Sequence, residues 1–352
     1  MADDRQLKEF DLIARLQRRL SANLPSSVLL GIGDDAALIE PPSCEQLLIT
    51  MDTLHAGVHF PNDTLASDLG WKALAVNLSD LAAMGAEPRW CTLSLTLEKS
   101  DASWIEEFID GLMDLAQIYP IALIGGDTTA GPLSMSLTAI GGVPPGAAMQ
   151  RDGAQVDDDI WLTGCTGDAA AALWLWRQGR LHLQRTAHES ALEQMRQRLI
   201  RPMPRIHEGI AVRSMATAAI DLSDGLVADL SHICRRSQVG GEIELCLLPP
   251  CQAQALDVSA EQIALWQLSG GDDYELCFTA PQSCRPSIEN ALLQSEARVT
   301  RIGRIVAEKG VRVRTFSGAL FPLPHTGYQH FSSDACRSKD DGLLFSASIH
   351  PL

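Results

Sequence analysis

The chain has 352 residues, 46% hydrophobic and 20% charged, which is enough for a sizeable core and predicts two domains. Its formal charge of −16 argues against nucleic-acid or anionic-membrane binding, both of which need a basic face. No apolar stretch reaches the roughly 18 residues of a membrane span, the charged amino terminus does not read as a signal peptide, and nine scattered cysteines form no C-x-x-C pair, so reduced thiols in a cytoplasmic protein are expected.

Apolar residues at Phe10, Ile13, Leu16 and Leu20 predict a helix from Glu9 to Leu20. Val28 to Ile32 is a short apolar run that meets Gly33-Asp34-Asp35, and Leu47 to Met51 is a second that meets Asp52-Thr53. Trp71, Leu74, Leu78 and Leu81 recur at helical spacing and predict a helix over Ala66 to Met84, with Asn77 and Asp80 one turn apart on another face. Thr92 to Leu97 alternates as a strand, and Trp104 to Ile118 carries a helical period. Ile121 to Ile124 runs into Gly125-Gly126-Asp127-Thr128, and Met135 to Val143 returns as a strand. The turn cluster Pro144-Pro145-Gly146, with the polar segment Gln150 to Gly153, marks the expected domain boundary.

A second block follows. Asp159 to Thr163 is strand-like, and Gly164 to Asp168 leads into an alanine-rich helix around Ala169 to Trp176. Ala216 to Ile220 delivers Asp221, Ser223 and Asp224 ahead of a helix near Leu226 to Ile233. Ala264 to Leu268 meets Ser269-Gly270-Gly271-Asp272-Asp273, and Tyr274 to Thr279 reads as a strand. Alternating helices and strands in both halves point to an α/β or α+β architecture. From Ser332 to Leu352 the pattern dissolves into a loosely ordered tail.

Five acidic segments follow apolar runs: Asp34-Asp35, Asp52, Asp127, Asp221-Asp224 and Asp272-Asp273. Strand ends are where an α/β scaffold gathers functional groups. If several of these segments converge, carboxylates at about 4 Å repel by roughly 4 kcal/mol at an effective dielectric near 20. Such a cluster calls for cations, and Mg²⁺ with substrate phosphates suits it. Taken singly, each aspartate has an alternative in ordinary turn chemistry or a helix N-cap. The phosphate loop G-x-x-x-x-G-K-[ST], the kinase H-R-D and D-F-G set, the G-x-S-x-G elbow and H-E-x-x-H are all missing from the sequence. The nine histidines lack metal-ligand spacing.

Taken in order, these segments resemble the thiamine-monophosphate kinase family, in the superfamily that also holds aminoimidazole ribonucleotide synthetase. The strings are Gly31 to Ala36, Asp52-Thr53 with Gly57 to Phe60, Lys72 to Gly85, Ile124 to Thr129, Ile220 to Leu226, Ser269 to Leu276 and Gly327 to Phe331. The resemblance implies a two-domain aminoimidazole ribonucleotide synthetase-like fold. An amino-terminal α/β domain (1–148) would bind ATP and Mg²⁺ and join its sheet to a second copy as a dimer barrel. A carboxy-terminal α/β domain (149–331) and a tail (332–352) would follow. It further implies a homodimer that phosphorylates thiamine monophosphate with ATP, using several Mg²⁺ ions and no phosphoenzyme, in the final step of thiamine diphosphate biosynthesis.

Carried over residue by residue, the family's metal positions fall on Asp35, Thr50, Met51, Asp52, Asp80, Asp127, Asp221 and Asp224. Met51 departs from the expected Ser or Thr and can offer only its backbone carbonyl. ATP-contacting positions fall on Gly126, Asp127, Arg151 and Ser223, and thiamine-contacting positions on His59, Asp272 and Tyr328. Asp34 and Asp273 receive no role. The rival readings are another ATP-using enzyme of the superfamily and a non-catalytic regulator that binds nucleotide and divalent ions.

Overall fold

The computed structural model describes residues 24–293, 295, 297–323 and 327. The predicted helix Glu9 to Leu20, Tyr328 and the tail from Ser332 lie outside them. The chain divides into two compact units. One takes the described residues up to Leu81 together with Ala86–Gly146, and the other takes Ala82–Gly85 and the described residues from Ala147 onward.

In the first unit, β1 (Val28–Leu30) and β2 (Leu38–Ile39) form a two-stranded antiparallel sheet that carries Asp34 and Asp35 in its connection. Then come β3 (Gln46–His55), α1 (Ala66–Ala83), β4 (Glu87–Leu97), α2 (Ala102–Ile118), β5 (Ala122–Ala130) and β6 (Ser134–Val143). The four longer strands make one sheet in the order β3-β6-β4-β5, with β4 and β5 parallel and the other pairs antiparallel. Asp101 caps α2 by accepting from the amides of Ser103 and Trp104, and Ile105, Phe108, Ile109, Leu112 and Leu115 give the helix one buried face. Helix α1 is buried almost all round and takes Lys72, Asn77 and Ser79 inside with its apolar residues. The two helices meet backbone to backbone. A Cβ on Gly70 would stand 1.8 Å from the Phe108 carbonyl oxygen, and one on Gly111 would stand 1.7 Å from that of Ser67.

The second unit continues with β7 (Asp159–Thr163), α3 (Asp168–Arg177), α4 (Ser190–Ile200), α5 (Ile206–Val212), β8 (Ala218–Asp221), α6 (Leu226–Ser237) and β9 (Gly240–Glu244). It closes with α7 (Ala260–Ser269), β10 (Leu276–Ala280), α8 (Arg285–Ala291), β11 (Val299–Val306) and β12 (Gly310–Arg314). Its six strands run β12-β9-β11-β7-β10-β8, antiparallel except for the β12–β9 pair. Strands β7, β8 and β10 are buried along their whole length. That is why each carries consecutive apolar residues and not an alternating pattern.

Just before β10 the fold buries a charge. Glu275 is fully enclosed; Arg205 donates to both its carboxylate oxygens at 2.6 Å, Arg198 donates at 2.5 Å and the Thr163 hydroxyl at 2.7 Å. Burial raises the carboxyl, but Arg205 and Arg198 outweigh it and hold Glu275 below its usual range. The same residue ties two segments together, since its carbonyl accepts from the Leu222 amide at 2.9 Å. Replacing Glu275 by Gln keeps the shape and leaves two largely buried guanidinium groups without their counter-charge. The expected loss is about 3–5 kcal/mol of stability, measured by urea unfolding at neutral pH.

Candidate functional site

In the first unit, hydrogen bonds between β3 and α1 bring acidic groups together. The Thr50 hydroxyl donates to Asp80 Oδ2 in a short hydrogen bond, and the Asp52 amide donates to Asn77 Oδ1 at 3.1 Å. Asn77 is itself held by its side-chain amide on the Ala73 carbonyl at 3.0 Å. Burial first, and the Asp80 charge second, push Asp52 up to about 6. A hydroxyl and two carboxylates, one charge raising the other's proton affinity, are the donor set of a hard divalent cation, which would relieve the repulsion. The fit to Mg²⁺ is therefore good, although no group of three His, Cys, Asp or Glu side chains among the described residues is close enough to form a cage by itself. Met51 points its side chain outward, 63% exposed, so only its carbonyl could join.

Asp127 stands elsewhere in this unit. It is exposed on β5, opposite Ser94 of β4, and its carboxylate accepts from the Thr128 amide at 2.9 Å. Three strand spacings separate β3 from β5, roughly 14 Å. Gly126 is required beside it, because a Cβ there would meet the Leu93 carbonyl oxygen at 1.9 Å. Asp35 is exposed between β1 and β2, its amide bonded to Asp34 Oδ1 at 2.8 Å. His59 follows β3 in a turn. Its Nδ1 accepts from the His55 amide at 3.0 Å, and its carbonyl accepts from the buried Lys72 ammonium at 3.4 Å. The accepting Nδ1 carries no proton, so a neutral His59 presents Nε2–H as its donor.

In the second unit, Asp221 ends β8 directly across from Leu276 at the start of β10, so the loop leaving one strand adjoins the loop entering the other. The Asp272 amide donates to the Ser223 carbonyl at 3.0 Å and the Tyr274 amide to that of Leu222 at 2.8 Å. Asp221, Ser223, Asp224 and Asp272 are thus brought together. Asp272 and Tyr274 both have left-handed backbone, with φ of 67° and 49°. Such conformations cost about 1–3 kcal/mol each for non-glycine residues and persist where surrounding bonds enforce them. Asp229, in the first turn of α6, accepts from the amides of Asp224 and Gly225 at 3.1 Å. Burial, then Asp224 and Asp221, push its carboxyl well above the usual range. Arg151 is exposed; its charge, after burial and Arg235, helps lower His232 on α6.

The structure alters the expectation that each aspartate closes an apolar strand. Asp221 alone of them ends a strand; Asp52 and Asp127 sit inside β3 and β5, and Asp272 follows helix α7. On a strand, backbone pairing continues through polar residues, so the end of an apolar run does not end the element. Lys72, Asp229, Tyr274 and Glu275 carry structural roles that the sequence does not assign, and Asp273, read there among the acidic segments without a role, is another. Only Asp229 had a usable signal, an acid in the first turn of a predicted helix.

Comparison with known proteins places these residues in context. A family model described as AIR synthase related protein, N-terminal domain, matches residues 33–143. The chain is 47% identical to a thiamine-monophosphate kinase of Escherichia coli (strain K12) over 325 residues, 92% of this chain and 98% of the relative. The crystal structure of a thiamine-monophosphate kinase from Stenotrophomonas maltophilia K279a matches at 50% identity with a TM-score of 0.82, covering 88% of this chain and 98% of that one. AaThiL complexed with AMPPCP and TMP matches at 30% identity with a TM-score of 0.71, over 94% and 100% of the two chains.

Two carboxylates this close destabilise the metal-free chain. Asp52→Asn is expected to raise its stability by roughly 1 kcal/mol in a chelator, read as a higher thermal midpoint, while Mg²⁺ no longer adds its own increment.

Proposed function

The chain belongs to the thiamine-monophosphate kinase family, and we propose that it transfers the γ-phosphoryl group of ATP to thiamine monophosphate, the last step to thiamine diphosphate. What carries this reading is the Thr50–Asp80–Asp52 group on β3 and α1, an acidic cluster matched to phosphate chemistry through a divalent cation. A relative of the same fold was solved with AMPPCP, an ATP analogue, and TMP, which supports the two substrates.

In the transfer, the bond from the γ-phosphorus to its bridging oxygen breaks, a bond to an oxygen of the acceptor phosphate forms, and ADP leaves. The acceptor oxygen is already anionic at neutral pH, so no general base is required and no protein nucleophile takes part. Positioning and charge neutralisation then do the work. We assign ATP contacts to Gly126, Asp127, Arg151 and Ser223, and thiamine contacts to His59 through Nε2–H, Asp272 and Tyr328. Metal ligation is assigned to Asp35, Thr50, the Met51 carbonyl, Asp52, Asp80 and Asp127 in the amino-terminal domain (1–148), and to Asp221 and Asp224 in the carboxy-terminal domain (149–331). Bound Mg²⁺ would supply neutralisation of phosphate charge. Arg151 would orient phosphate oxygens by charge-assisted hydrogen bonds.

We further propose a homodimer in the cytoplasm. Strand β3 lies at a sheet edge and exposes Leu47, Ile49 and Met51 at 38%, 69% and 63%, an apolar stripe that a second copy would cover. No helix among the described residues is long and apolar enough to cross a membrane, and the eight described cysteines are free thiols, which suits a reducing compartment.

Two measurements test these assignments. Purified protein given ATP, Mg²⁺ and thiamine monophosphate should form thiamine diphosphate, and Asp127→Asn should cut kcat at least about a hundredfold with the fold intact. ATP binding without product would favour a regulator, and near-normal turnover of the variant would remove Asp127 from the site. Ile49→Glu should convert the dimer to monomer in light scattering; an unchanged mass would place the interface elsewhere.

A further inference from the structure

We infer that Tyr274 is a positioning residue whose hydroxyl holds the Asp272 carboxylate in the orientation that meets the thiamine part of the substrate. The inference rests on the assignment of Asp272 to substrate made above. Tyr274 Oη donates to Asp272 Oδ1 at 3.1 Å, and the tyrosine is only 8% exposed, so the donor sits on a ring fixed by packing. Asp272 itself is half-buried and keeps access to solvent.

The contact depends on a loop that cannot relax easily. Asp272 and Tyr274 are both left-handed, which turns the chain sharply on either side of Asp273. Three anchors enforce this. The amides of Asp272 and Tyr274 bond to the carbonyls of Ser223 and Leu222, and both oxygens of the buried Asp273 carboxylate accept from the Gly167 amide at 3.0 Å. Gly271 lets the loop lie close, since a Cβ there would meet the Ser223 carbonyl oxygen at 2.6 Å. The Gly167 amide at the head of α3 is thereby taken by the protein's own carboxylate, so the Gly164 to Gly167 turn serves as a loop anchor.

A carboxylate fixed by a rigid phenol has restricted rotation, and a fixed acceptor selects a ligand with a cationic ring or an amino donor. Thiamine monophosphate offers both, and ATP meets different residues. Removing the hydroxyl should therefore affect one substrate and not the other.

Tyr274→Phe keeps the ring and removes the donor. The KM for thiamine monophosphate should rise about three- to tenfold, while kcat, the KM for ATP and the thermal midpoint stay near those of the parent. Asp272→Ala combined with Tyr274→Phe should give the same KM as Asp272→Ala alone, because alanine leaves the hydroxyl no side-chain acceptor to act through. An unchanged KM in Tyr274→Phe, independent effects in the double variant, or an equal decline for both substrates would each overturn the inference. If the parent chain binds thiamine monophosphate without turnover, the proposed activity fails, and Kd from calorimetry replaces KM in the same comparison. A parent chain that does not bind it at all would overturn both readings.

Discussion

Like-charge repulsion is the constraint around which the amino-terminal unit is built. Thr50, Asp52 and Asp80 lie on two elements that would gain nothing from being together if their carboxylates were the whole interaction. Apolar packing holds them in place: α1 is enclosed on nearly all sides and locked to α2 at Gly70 and Gly111, where no side chain larger than hydrogen fits. The helix therefore cannot retreat from β3. Asn77 adds a bond to the strand's free amide and fixes which turn of the helix faces Asp52. Burial of leucines thus offsets the repulsion within the acidic group.

The carboxy-terminal unit handles its acids differently. Glu275 and Asp273 are buried more deeply than any acid in the β3–α1 group, but two guanidinium groups hold Glu275 charged, whereas Asp273 has the Gly167 amide against a burial that pushes its carboxyl well above the usual range. Asp221, Asp224 and Asp229 resemble the first unit's group more closely, since Asp229 is driven upward by its two acidic neighbours after burial. Within a single string of acids, then, neighbours have opposite duties. Asp272 looks out while Asp273 and Glu275 brace the loop from behind.

That division explains what could be read from residues alone. The helix carrying Asn77 and Asp80 was legible because its apolar period is strong and leaves those two on another face, and the buried strand Asp159–Thr163 was legible from the consecutive Ile160, Trp161 and Leu162. The series of acidic strings also sufficed to identify the family, because a long ordered series is far more specific than one motif. Three-dimensional placement was not legible. Nothing in Gly270-Gly271-Asp272-Asp273-Tyr274-Glu275 says which carboxylate meets solvent, since that is decided by φ at Asp272 and Tyr274 and by partners over sixty residues away, such as Arg205. Strand ends were misplaced for a related reason. Apolar runs report burial of side chains, whereas β3 and β5 continue by backbone pairing into polar residues.

The same distinction bears on which substitutions the site tolerates. A carboxylate satisfied inside the protein, such as Glu275, contributes through its charge to stability, and neutralising it exposes two buried cations. A carboxylate in the β3–α1 group opposes stability in the metal-free chain, and neutralising it removes a repulsion. Loss of an acid therefore changes stability with opposite signs at Asp52 and at Glu275. Paired measurements of unfolding and Mg²⁺ binding can separate Asp52 from Glu275 without any structure of a complex, because an acid held charged by two guanidinium groups does not raise the midpoint when it is removed.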